Sequence, residues 1–101
     1  MQIDKALLAS KILDFLAVLH RCHSETTYTQ DRSIYASDIA TAVGWLVKLH
    51  QGEALDDVAK IIIDSSTTKS FTDYWRQGRW GDLEARALND LQRWIRSAIG
   101  S

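Results

Sequence analysis

A chain of 101 residues, 46% hydrophobic and 25% charged, is long and apolar enough to close one core without a metal or a disulfide, and too short for a second. Its net charge of −1 is unevenly spread, with six Lys/Arg against nine Asp/Glu up to residue 65 and six against four beyond it, so the last third is basic only by +2, short of the strongly basic stripe of a dedicated nucleic-acid binder. The single cysteine, Cys22, excludes an intramolecular disulfide, no apolar run reaches membrane-spanning length, and the opening MQIDKALLASK lacks the basic run of a signal peptide; a cytoplasmic protein off the membrane is expected.

The chain has no proline, and its few glycines stand at 44, 52, 78, 81 and 100. Helices tolerate such a sequence, whereas the turn chemistry of short hairpins is missing. From Ile3 to about Cys22, apolar residues at 3, 7, 8, 12, 15, 16 and 19 leave only a narrow polar row of Asp4, Lys11, Asp14 and Arg21. That pattern predicts a first helix apolar around most of its circumference, for which a second copy of the chain, in a homodimer, would be a natural cover.

The polar run Ser24 to Ser33 reads as a loop, with Thr29, Asp31 and Ser33 as candidate N-caps. A second helix follows, its face set by Ile39, Val43, Leu46 and His50 beside Ala36, Ala40 and Val47, and Gly52 is its expected C-cap. Gly44 lies inside that helix at a cost of roughly 1 kcal/mol relative to Ala, which predicts a close crossing by a neighbouring helix. Glu53, Asp56 and Asp57 open a third helix on the side its dipole favours, with Leu55, Val58, Ile61 and Ile62 lining one face. Asp64 to Ser70 interrupts the pattern, and Ser70 with Asp73 is spaced like a capping box for a short helix over Phe71–Gln77.

Gly78 and Gly81 bracket a turn, and Asp82 caps a last helix reaching about Ile99, with Leu83, Ala87, Leu91, Trp94 and Ala98 on its inner face and Leu88 and Ile95 widening it. The sum is an all-α protein: a single helical domain over 1–101, an antiparallel bundle of four main helices plus one short helix. Leu16, Leu46, Ile62 and Leu91 are the expected core.

The densest chemical information lies in Phe71 to Trp80, FTDYWRQGRW, where large aromatics and guanidinium groups surround one glycine. Tyr74, Trp75, Arg76, Arg79 and Trp80 are of the types enriched at the centres of protein interfaces, since rings bury large areas at little rotamer cost and Arg is a planar, multidentate donor. Trp45 and Trp94 belong instead to helical patterns and read as core or core-edge residues. On the last helix and just before it, Arg79, Arg86 and Arg93 recur every seven residues, with Arg96 nearby, and could form a row that uses charge and stacking to hold a nucleic acid. Local pairing of Asp82 with Arg86 and of Asp90 with Arg93 would neutralise much of that row.

His20, Cys22 and His23 hold ligand types for zinc, but Cys22 points away from the histidine face and His50 lies at the far end of the next helix, so neither a metal nor another cofactor is expected. Cys22 and His23, as neighbours, cannot hydrogen bond side chain to side chain, and Asp56 and Asp57 fit a helix start better than acid–base catalysis. No phosphate loop, nucleophile elbow or HExxH motif occurs. The reading is a non-catalytic protein–protein interaction module (an inhibitor, immunity-type antidote or adaptor) presenting residues 74–80 to a protein partner, with a nucleic-acid-binding accessory protein as the alternative.

Overall fold

The computed structural model describes residues 4–27, 29–65 and 79–99, and consists there of four helices: α1 (Lys5–Glu25), α2 (Thr29–His50), α3 (Leu55–Asp64) and α4 (Arg79–Ile99). No strand occurs among the described residues. The short helix expected over Phe71–Gln77, and its capping box, lie outside them.

Asp4 starts α1: its carboxylate accepts the Leu7 N–H at 2.7 Å, satisfying one of the donors that a helix start leaves open. The polar run 24–33 is not a loop but the ends of two helices around a short turn, because α1 reaches Glu25 and α2 begins at Thr29. Thr29 and Ser33 are therefore helical rather than caps, and Asp31 sits in the first turn, where the dipole favours its charge. Gly52 ends α2 as expected. At φ +87° it adopts the left-handed conformation, with its N–H on the Leu49 carbonyl and the Glu53 N–H on that of Lys48, the two bonds of a Schellman cap.

Asp56 and Asp57 occupy the first turn of α3, which ends at Ser65, whose hydroxyl donates to the Ile62 carbonyl at 2.6 Å. The last helix starts earlier than Asp82 suggests. Gly81 lies within its first turn, since the helix already runs from Arg79.

The four helices form an antiparallel bundle. The short turn after α1 sends α2 back along it, while contacts of Cys22 with Trp80 and of Lys11 with Trp94 set α4 antiparallel to α1. The shorter α3 packs on α2 and α4, where the Gln92 side-chain amide donates to the Ile62 and Ile63 carbonyls at 3.0 and 3.2 Å.

Buried positions on the long helices alternate spacings of three and four: Leu8, Ile12, Phe15, Leu19 and Cys22 on α1; Tyr35, Asp38, Ala42, Trp45 and Leu49 on α2; Glu84, Leu88, Leu91, Ile95 and Ala98 on α4. This is the seam of a coiled-coil-like bundle, in which knobs of one helix enter holes of the next. Ile62 and Leu91 are in the core as expected, whereas Leu16 and Leu46 only flank it, one helical step off the seam.

The face predicted for α2 is displaced. Val43 and Val47 are 42% and 45% exposed, Ala36 and Ala40 also face water, and Ala42, Trp45 and Leu49 take the inner side. On α1, Leu13 is 55% exposed, and on α3 Ile61 turns outward. Among the described residues no neighbouring helix crosses at Gly44: a Cβ built there meets nothing within 4 Å.

Candidate functional site

Of the residues expected to meet a protein partner, Tyr74, Trp75 and Arg76 lie outside the described residues. Arg79 opens α4, and Trp80 follows it, half-buried against the C-terminal end of α1. The Arg21 guanidinium stands 5.4 Å from the centroid of the Trp80 ring, a cation–π arrangement, and the Cys22 thiol donates to the Trp80 carbonyl at 3.4 Å. The indole is thus positioned by α1 while part of it faces solvent.

Arg86, Arg93 and Arg96 are exposed on α4, with Arg86 and Arg93 opposite the seam. Pairing with Asp82 and Asp90 does not neutralise them. Among the described residues the ion pairs within 4.0 Å are Arg21 with Glu25 and Lys48 with Glu53, both exposed and worth little. Glu84 is also withdrawn from the surface balance of this helix, because the fold buries it.

The histidines and Cys22 do not converge. Cys22 is buried in the α1 seam, His20 is exposed with its Nδ1 3.3 Å from the Ser24 hydroxyl, and His50 ends α2. No group of three or more His, Cys, Asp or Glu side chains is placed to hold a metal among the described residues.

Two arrangements were missed in the sequence. The first is a polar stretch of seam: Asp38 and Glu84, each 2% exposed, with Tyr35 and Thr26 also buried. Equal rise per residue along antiparallel helices puts Asp38 and Glu84 within about a turn of Leu19. Withdrawing a charged carboxylate from water costs several kcal/mol unless neighbours compensate, and both residues have further interactions. The alternating three–four spacing was the signal that would have placed them inside.

The second arrangement is a cleft of about 230 Å³ between α1 and α4, floored by Phe15 and Leu91, where Lys11 lies 5.5 Å from the Trp94 ring centroid and Asp14 and Asp90 stand at the rim. Trp94 is accordingly a core-edge residue, whereas Trp45 is buried and stacks on Phe15 with centroids 6.1 Å apart. The cleft is small, and its own lysine already occupies the aromatic face.

No family model, curated protein or solved structure matches this chain, so its function must be read from its own geometry. No described helix is long and apolar enough to cross a membrane.

Proposed function

We propose that the protein is a non-catalytic, cytoplasmic protein–protein interaction module, an inhibitor, immunity-type antidote or adaptor, that presents Tyr74, Trp75, Arg76, Arg79 and Trp80 to a protein partner. The observation that supports this reading is the Trp80 indole, held half-buried under the Arg21 guanidinium at the head of α4. An aromatic ring held in place costs little entropy when a partner covers it, and Trp and Arg are the residues on which interface energy concentrates. Trp75→Ala combined with Arg76→Ala should weaken capture of a protein partner by more than about 2 kcal/mol while leaving the melting temperature near that of wild type. Retained capture by a folded double variant places the interface elsewhere.

The exposed Arg86 and Arg93, with no acidic side chain within 4.0 Å among the described residues, favour a second reading as a nucleic-acid-binding accessory protein. Engagement of phosphates by Arg79, Arg86, Arg93 and Arg96 predicts a log–log salt slope of about −3 for oligonucleotide binding. Salt-independent or undetectable binding removes this alternative.

A further inference from the structure

The outer side of α2 exposes no charged side chain between Ser33 and Val47. Between Ser33 and Val47 the sole charged residue is Asp38, and it is buried; everything that this stretch turns to solvent is apolar, small or hydroxylated. Val43 and Val47 are exposed there, and helical geometry places Leu13 of α1, the most exposed large apolar side chain among the described residues, at the same level on the same side of the α1–α2 pair.

Ala36, Ala40 and Gly44, spaced by four, form a shallow row beside the valines. Gly44 is less favourable than Ala in a helix interior, and among the described residues nothing recovers that cost, because the space beside it is open. A second helix crossing at this point would use it.

We propose that this face is a homodimer interface, in which a second copy lays its α2 across the first near Ala40 and Gly44. The two-fold operation suits the surface: each copy offers both a ridge (Leu13, Val43, Val47) and a row of small residues to receive one, and no charge opposes the approach. The area also fits. The bundle is 40 Å long and exposes 6293 Å². One of its four sides over about 22 Å of helix rise is on the order of 700 Å², close to the roughly 800 Å² that each partner gives a standard interface. This interface is independent of the Trp80 surface, and it leaves the Arg86 and Arg93 side of α4 uncovered.

Light scattering and sedimentation at micromolar concentration should give twice the 11.4 kDa chain mass for wild type. Val43→Glu, at a solvent-facing position, should keep the helical circular dichroism and raise the dimer dissociation constant by about a hundredfold or more. Should that variant lose its fold, Ala40→Lys, whose side chain can extend into water in the monomer, gives the same reading. Ile61→Glu, an equally exposed apolar site on α3, should leave the dimer intact. Monomer mass for wild type throughout, including a monomer that instead binds lipid vesicles through this face, overturns the proposal. So does a dimer unaffected by either Val43→Glu or Ala40→Lys.

Discussion

The two halves of the bundle are built differently. Around Phe15, Trp45 and Leu91, where α3 completes a ring of four helices, the three–four positions are apolar and include a stacked aromatic pair, with only the neutral Gln92 and Ser65 buried beside them against α3. Toward Trp80, beyond the end of α3, the same three–four positions carry Cys22, Tyr35, Asp38 and Glu84, with Thr26 at the turn. Hydrophobic burial scales with area and tolerates imprecise geometry, whereas buried polar groups hold only while their partners stay aligned. One half therefore contributes most of the stability, and the other is the half expected to open first; it is also where Trp80 lies.

The largest test of this contrast is Trp45→Ala or Phe15→Ala in the apolar half, each expected to cost about 3–5 kcal/mol in denaturant unfolding. Leu16→Ala and Leu46→Ala, at the seam's flank, should cost markedly less; equal losses at all four positions would mean that the seam does not concentrate the packing energy. Next comes Gln92→Leu. Its amide ties α4 to the Ile62 and Ile63 carbonyls; the Ile62 carbonyl keeps its Ser65 donors, so the change removes two helix–helix hydrogen bonds, at about 0.5–1.5 kcal/mol each. An unchanged denaturation midpoint would show that α3 is held by its apolar face alone. The smallest effect sharpens the comparison most. Thiol labelling of buried Cys22 should report an opening free energy about 1 kcal/mol or more below that of global unfolding, as for a sub-global event. Labelling that proceeds only through global unfolding would make the two halves one cooperative unit.

The α2 segment shows how far periodicity can go. Its Gly52 terminator is legible because it depends on local chemistry, a glycine free to adopt positive φ, whereas its start is not, since the polar run up to Ser33 reads as a loop and the helix already runs from Thr29. Its inner face is not legible from apolar content, because Ile39, Val43 and Leu46 on one side rival Ala42, Trp45 and Leu49 on the other. On α4 the same ambiguity favours Leu83 over Glu84, although the fold buries the glutamate. The alternating spacing, followed through Tyr35, Asp38 and Ala42 and through Glu84, Leu88 and Leu91, would have resolved both, at the expense of accepting two acids in a core.

By itself the sequence determined an all-helical chain, the approximate extent of each long helix, the Gly52 cap and the acidic start of α3, all consequences of interactions within a few residues of one another. Only the tertiary structure decided which side of each helix turns inward, that Gly44 meets no other described helix, and that Trp80 lies beneath Arg21. Those outcomes depend on contacts between residues far apart in the chain, such as Cys22 with Trp80 and Gln92 with Ile62. Such contacts leave no local period in the sequence, because they exist only once the helices have packed.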